Sequence, residues 1–320
     1  MNLKRIWPIL RLVLGVLLLI LALRQMDWQA VGGALAQVDP GWLLLALLSF
    51  LITQLIKIMR WGWLAGLPPR IWLGRLSAAF FIGQAANILL PVRGGEVVRL
   101  GWLSAAAKGE PAITVSAGAA LVLEKYLDML ALLILLALLL PVLPAELLAR
   151  AQNWLFPLGI AASILILGSL WLIPILWRAL RPALQSRFNW NTTKVESWLE
   201  RLSTLRSARV LLPSTAATLL IWLIMWLTNL LVLRALHLPV TLPGAALSLA
   251  LIYAGLIPAV MPGNFGPFYF FAMLGLAPYG IHPDGQAAFA ILLHALVTLP
   301  PLLISGGLLL APRLGKRALA

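Results

Sequence analysis

The stretch NILLPVRGGEVVRLGW, residues 87–102, places a helix breaker, a glycine pair and three charges inside an otherwise apolar chain. Each arginine at the centre of a lipid-facing helix costs roughly 2.5–3.5 kcal/mol on insertion scales. Irregular backbone at membrane depth is tolerated only where protein buries it or where it lines a wet cavity. The stretch therefore predicts a polar site inside a membrane protein.

The composition of the whole chain agrees with a membrane location. Hydrophobic residues make up 62% of the 320 residues and charged residues only 11%, and no segment is long and polar enough to form a soluble domain. Apolar runs of about 20 residues recur along the chain, as bilayer-spanning helices require. We therefore predict an all-α, polytopic transmembrane bundle that forms a single integral membrane domain over residues 1–320.

The apolar runs divide into long spans and shorter, interrupted pieces. Spanning helices are predicted at about 6–23, 42–59, 112–140, 154–177, 211–233 and 288–311. The segments at about 77–107 and 244–277 each contain two short apolar pieces around a Pro/Gly break, and such pieces cannot cross the hydrocarbon alone. We predict that both are re-entrant hairpins which enter from opposite faces, as in a transporter with an inverted pseudo-repeat and a midplane site.

The positive charge predicts the orientation of the chain. The net charge of +14 lies mostly in loops beside apolar spans. This placement favours a cytoplasmic, anionic lipid surface over nucleic acid as the partner of the basic residues. Both termini are expected to be cytoplasmic, as is the basic cluster of Lys57, Arg60, Arg70 and Arg75.

Two further features are predicted to lie at the membrane surface. The polar segment at about 178–210 contains the capping-box spacing Thr193–Glu196, and it predicts an amphipathic helix on the cytoplasmic leaflet. Tryptophans near span ends are expected to anchor the chain at the interface, namely Trp42, Trp61 and Trp63.

The first Pro/Gly break carries the strongest binding pattern. Its glycine pair would free backbone N–H groups at the start of a half-helix, which suits a phosphate or carboxylate. Its two arginines and its glutamate are spaced by three residues, so they share one helical face. Either arginine would clamp a lipid phosphate, or else the charges neutralise each other and lock two helices together. The candidate residues are Asn87, Pro91, Arg93, Gly94, Gly95, Glu96 and Arg99.

A second constellation, Glu124, Lys125 and Asp128, lies in the middle of a predicted span. Facing lipid, the three charges would cost roughly 8–10 kcal/mol, so they are expected to turn inward and find partners. The nearest cations are Arg93 and Arg99, which predicts an ion network that joins the first hairpin to this span. The network either serves structure alone or includes a carboxylate that exchanges protons.

The second Pro/Gly break supplies the remaining binding candidates. Asn264 would cap the half-helix that follows or donate to a ligand. Tyr269 and the neighbouring phenylalanines would line a lipid pathway or simply pack between helices. The candidate residues are Pro262, Gly263, Asn264, Gly266 and Tyr269.

The sequence lacks the motifs of several common kinds of catalytic site. The three histidines have no ligand spacing, which argues against a metal site. No phosphate-binding loop and no nucleophile elbow occurs, and there is no cysteine. We therefore expect no catalytic residues, no metal, no cofactor and no enzymatic activity.

These motifs together resemble the lysylphosphatidylglycerol synthase transmembrane family, whose members are also described as flippase-like integral membrane proteins. The resemblance rests on four stretches, which are residues 87–99, Glu124-Lys125-Tyr126-Leu127-Asp128, Pro262-Gly263-Asn264-Phe265-Gly266 and the pair Arg60-Trp61. The resemblance implies lipid movement across a prokaryotic plasma membrane, with functional roles at Arg93, Glu96, Arg99, Glu124 and Asp128.

Two departures from the family pattern limit that implication. Many members carry a glutamate where this chain has Tyr269, which puts any role of that carboxylate in doubt. The aminoacyl-transfer domain of the full synthases is also missing from this sequence, so we do not expect the chain to make lysyl-lipid.

The sequence thus favours a flippase that moves an anionic, phosphate-bearing lipid, either a phospholipid or a polyprenyl-phosphate lipid. Two alternatives remain open. One is a membrane-embedded enzyme that modifies a lipid headgroup with Glu124 or Asp128 as acid or base. The other is a non-catalytic scaffold of an envelope-lipid synthesis complex, for which envelope-synthesis proteins are the candidate partners.

Overall fold

The computed structural model of the chain describes residues 3–24, 26–90, 94–106, 111–146, 148–149, 207–257 and 262–310, with part of 161–199. Most of the predicted span at 154–177 and of the amphipathic segment at 178–210, including Thr193, lies outside the described residues. The same holds for Pro91 and Arg93 of the first break.

The described ranges are helical, and no strand occurs within them. The helices are α1 (Leu3–Leu23), α2 (Trp28–Ala36), α3 (Pro40–Ala65), α4 (Ser77–Leu89), α5 (Gly95–Ala106), α6 (Pro111–Leu139), α7 (Ala208–Ala235), α8 (Leu242–Gly255), α9 (Pro267–Leu276) and α10 (Pro283–Leu310). Four of them, α3, α6, α7 and α10, are long and apolar enough to cross a bilayer, and the bent pair of α1 and α2 would make a fifth span. The predicted all-α membrane bundle is confirmed.

Local sequence signals explain where the second span begins and ends. The Asp39 carboxylate accepts hydrogen bonds from the backbone N–H groups of Gly41 and Trp42, and Pro40 occupies the first turn of α3. Gly66 ends the helix in the left-handed conformation, with φ of 66°. The helix is therefore longer at both ends than the predicted span at about 42–59, which places Arg60 inside it.

Each Pro/Gly break joins two short helices that pack closely on each other. Helices α4 and α5 flank the first break, and α8 and α9 flank the second. A Cβ atom on Gly95 would collide with the Gly83 carbonyl of α4, and one on Gly275 would collide with the Ser248 backbone of α8. The glycines thus allow close helix crossings, while the re-entrant placement and the pseudo-repeat stay predictions.

Separate apolar cores surround the two helix pairs. One core packs α4 and α5 against α3 and α6, and the other packs α8 and α9 against α2, α3, α7 and α10. The turn Pro262–Asn264 of the second break packs on α4, close to Ile88. The two breaks are therefore neighbours in the folded chain, and polar side chains occupy the space between the two cores.

Candidate functional site

A cavity of about 320 Å³ lies between the two helix pairs. All the helices from α3 to α10 contribute residues to its wall, and so does the second break. Its charged lining residues are Lys57, Glu96, Arg99, Glu124, Lys125 and Asp128. Its uncharged polar lining residues include Thr53, Gln54, Gln84, Asn87, Thr228, Asn229, Asn264, His294 and Thr298.

Arg60 forms the centre of the buried ion network. Its Nη1 lies 2.7 Å from Asp128 Oδ1 and its Nη2 lies 3.2 Å from Asp128 Oδ2, which is a two-pronged contact. The same guanidinium lies 3.3 Å from Glu124 Oε1 and donates to the Thr218 hydroxyl at 2.7 Å. Its side chain is 0% exposed. The prediction that Arg60 belongs to a cytoplasmic surface cluster is therefore wrong, because two carboxylates of α6 stabilise it inside the bundle.

Arg99 occupies a different position beside the same carboxylate. Its guanidinium carbon lies 3.5 Å from the ring centroid of Trp61 and 4.7 Å from that of Phe80. Arg99 is 7% exposed, and Trp61 is fully buried beneath it. The prediction that Trp61 anchors the interface is therefore wrong, since the ring supports a buried cation instead.

The Arg99 guanidinium is incompletely satisfied. Its Nη2 lies 3.7 Å from Glu124 Oε2, which is close enough for an ion pair but too long for a hydrogen bond. Within the described residues, Nε and Nη2 of Arg99 and Oε2 of Glu124 are all buried without a hydrogen-bond partner. These atoms have almost no exposed area of their own, but they belong to two residues that line the cavity.

A second ion pair lies nearer the surface. Lys125 Nζ is 3.0 Å from Glu96 Oε1, and the two side chains are 58% and 31% exposed. Together with the contact between Arg99 and Glu124, it links α5 to α6, as the predicted network requires. Sequence reasoning missed the third helix of the network, α3, which contributes Arg60.

Asn87 organises the first break. Its side-chain carbonyl accepts the backbone N–H of Gly95 at 2.8 Å, and its amide donates to Glu96 Oε2 at 3.4 Å. The Gly95 N–H, which the sequence pattern would leave open to a ligand, is therefore already bonded within the protein.

The second break contains strained backbone. Gly263 and Asn264 have φ values of 61° and 57°, and Gly266 has φ of 86°. Gly266 itself occupies the N-cap of α9, without a side-chain hydrogen bond. Of the two roles predicted for Asn264, the cap is therefore wrong, and the role as a donor to a ligand stays a prediction for a residue that lines the cavity.

His294 of α10 holds the second break in place, a role that sequence reasoning missed. Its Nε2 donates to the Gly263 carbonyl at 2.8 Å, so the neutral ring accepts at Nδ1 from the Tyr269 hydroxyl, also at 2.8 Å. The ring contacts Phe265 and Phe268, so Tyr269 belongs to an aromatic cluster around His294. The only sequence signal for this role is a histidine inside the apolar run ILLHALV.

The comparisons with known proteins gave one match. Residues 9–306 match the family described as Lysylphosphatidylglycerol synthase TM region. No curated protein and no solved structure matches the chain. The family and the apolar helices establish a multi-pass membrane protein with a function related to membrane lipids.

Proposed function

Because this chain belongs to the lysylphosphatidylglycerol synthase TM region family, we propose that it moves an anionic, phosphate-bearing lipid across the plasma membrane. The headgroup would occupy the cavity between the two helix pairs while the acyl chains stay in the bilayer. Both termini would face the cytoplasm, in keeping with the positive charge of the chain ends.

The observation that carries this proposal is the unsatisfied Arg99 guanidinium. Each buried donor left without a partner costs roughly 1–3 kcal/mol, and more when the group is charged. Arg60 Nε is also buried without a partner, but Arg60 does not line the cavity, whereas Arg99 does and leaves two donors unpartnered. Two oxygens of a phosphate at the Arg99 edge would accept from Nε and Nη2 in the two-pronged geometry that guanidinium favours, after the neighbouring side chains move aside.

The other charged residues would set the affinity of this site for phosphate. Arg60 contacts both Asp128 and Glu124, and together with Arg99 it balances the two carboxylates of α6 before a ligand enters. Glu124 Oε2 adjoins the proposed phosphate position, so the negative charge of Glu124 would oppose phosphate binding there. This is the point at which we propose that proton exchange acts on transport.

Leaflet redistribution in liposomes tests the proposal. The purified chain would be reconstituted with phosphatidylglycerol that carries a fluorophore on an acyl chain, and the fraction accessible to an external quencher would be followed. We expect wild-type protein to equilibrate the label between leaflets and Arg99→Gln to lose at least tenfold in rate. Arg234→Gln is the matched control, because Arg234 is exposed at the end of α7 and lies outside the cavity wall.

Lipid mass, recorded in the same vesicles, separates the alternatives. A change in mass would contradict transport and favour the headgroup-modifying enzyme. An Arg99→Gln protein that is folded and fully active would contradict the phosphate site. A wild-type protein that moves no lipid, yet retains an envelope-synthesis partner on purification, would favour the scaffold.

A further inference from the structure

A second cation of the cavity wall lacks an acidic partner. Lys57 belongs to α3 and is half-buried on the wall. Within the part of the chain that the structure describes, no carboxylate lies within 4 Å of its ammonium group, and its one hydrogen-bond contact is the Met225 sulfur of α7 at 3.8 Å. A thioether sulfur is only a weak acceptor. The ammonium group of Lys57 is therefore poorly satisfied.

Tyr253 of α8 directs its hydroxyl group at the same sulfur atom. The hydroxyl donates to Met225 Sδ at 3.0 Å, and the ring packs on Trp222 with the centroids 4.9 Å apart. Met225 and Tyr253 both line the cavity. An ammonium group and a phenolic hydroxyl thus converge on one weak acceptor. An oxyanion would be a better acceptor for both, because hydrogen bonds to an ionised oxygen are roughly twice as strong as those between neutral groups.

The acidic residues on the cavity wall leave the charge of Lys57 unmatched. Asp128 is close enough to attract Lys57, but Arg60 holds its carboxylate in the two-pronged contact. Glu96 and Glu124 each have basic partners of their own as well. Lys57 therefore adds a positive charge for which no described carboxylate is left over.

Lys57 and Arg99 lie at different levels along α3. Arg99 stacks on Trp61, which follows Lys57 by about one turn of α3, a rise of about 6 Å. Lys57 is thus nearer the middle of α3 than the ring beneath Arg99. Their neighbours also differ, since Arg99 lies beside Glu124 and Lys57 beside Met225. The cavity therefore contains two cationic positions in sequence along one helix.

We propose that Lys57 and Tyr253 form a second anion subsite, which binds an oxyanion such as a phosphate group one helical turn beyond Arg99. The subsite itself rests on the two donors and the unmatched charge. Its place on a transport path rests on the proposed function above, in which a phosphate would advance from Arg99 to Lys57 without losing contact with a cation.

Protection of Lys57 from chemical modification tests the subsite. The purified full chain in detergent would react with an amine-acylating reagent, and peptide mass spectrometry would give the rate at each lysine. The probes are inorganic phosphate, phosphatidylglycerol and diacylglycerol, which lacks phosphate. At a concentration about ten times its Kd, a bound probe should slow modification of Lys57 about tenfold by mass action. Lys125 is the matched control, because it lines the same cavity but is paired with Glu96.

The probes give distinct outcomes. Protection by inorganic phosphate would identify a site for the free anion, and protection by phosphatidylglycerol alone would identify a site for the headgroup phosphate. Either result supports the subsite. No protection by these two probes, equal protection by diacylglycerol or equal protection of Lys125 would overturn it. The measurement uses wild-type protein, so it does not depend on the folding of a variant.

A charge-rescue experiment separates anion binding from packing. The chain has no cysteine, so Lys57→Cys introduces a single thiol. This variant should redistribute labelled phosphatidylglycerol about tenfold more slowly than wild type, as the loss of one charge-assisted contact would produce. Modification with 2-aminoethyl methanethiosulfonate restores an ammonium group and should recover most of the rate, whereas methyl methanethiosulfonate should not. Equal recovery with both reagents, or full activity of the unmodified variant, would contradict the role of Lys57 on the path.

The two experiments distinguish this inference from the proposed function. Protection of Lys57 without any redistribution of lipid by wild-type protein would support the subsite and refute transport. Redistribution of lipid without protection of Lys57 would overturn the subsite and leave transport intact.

Discussion

Replacement of Arg60 with glutamine should destabilise the protein far more than the same replacement of Arg99, although both arginines are buried beside Glu124. Arg60 makes four short contacts, two to Asp128, one to Glu124 and one to Thr218. Arg99 makes a single ion pair at 3.7 Å. The two residues therefore separate a structural role from a ligand-binding role within one network.

The size of the difference follows from what each substitution leaves behind. Removal of one partner from a buried ion pair costs about 3–5 kcal/mol, because the other charge stays buried and uncompensated. Arg60→Gln removes a short contact of the buried Glu124 and the two-pronged contact of the partly exposed Asp128, so we expect a loss of about 4 kcal/mol in the free energy of unfolding. Arg99→Gln breaks no hydrogen bond to Glu124 and forfeits mainly the stacking on the buried Trp61, worth about 2 kcal/mol.

Equilibrium unfolding in mixed micelles, followed by helical circular dichroism, measures both losses. Two more variants complete a double-mutant cycle, Asp128→Asn alone and Asp128→Asn in the Arg60→Gln background. The double variant lacks the uncompensated carboxylate and should recover part of the stability. Equal losses for the two arginine variants would refute the assignment of roles. So would strictly additive effects of Arg60→Gln and Asp128→Asn, because residues in direct contact should couple.

Three further predictions concern the rest of the site. Gly95→Ala should lower the free energy of unfolding by about 2 kcal/mol in denaturant titrations, because a Cβ atom there overlaps the facing helix. Gly101→Ala is the control and should not lower it, because a Cβ atom at Gly101 has nothing within 4 Å. His294→Phe should speed amide hydrogen exchange in residues 263–266 about tenfold, since the bond to the Gly263 carbonyl is lost. Unchanged exchange would contradict the role of His294 in holding the second break. Lys125→Gln should shift stability by less than about 1 kcal/mol in the same titrations, because its ion pair is largely exposed; a loss as large as that of Arg60→Gln would show that this pair is structural.

The sequence predicted which carboxylates form the network, but it did not identify Arg60 as their main partner. The cost of charge in an apolar span predicts that Glu124 and Asp128 turn inward, whatever the packing around them. Arg60 was assigned to a surface cluster because the positive-inside rule counts basic residues near span ends as loop charges. In the structure α3 continues to Ala65, and its rotation directs Arg60 towards α6 rather than towards water.

The sequence alone determined the class of the protein, the two Pro/Gly breaks and the charged residues that need protection from lipid. These follow from transfer energies and backbone geometry, which act on each segment locally. Only the tertiary structure decided that Arg99 lies on Trp61 and that His294 bonds the second break. Such contacts join residues far apart in the chain, and they depend on the rotation and crossing of packed helices, which no local pattern encodes.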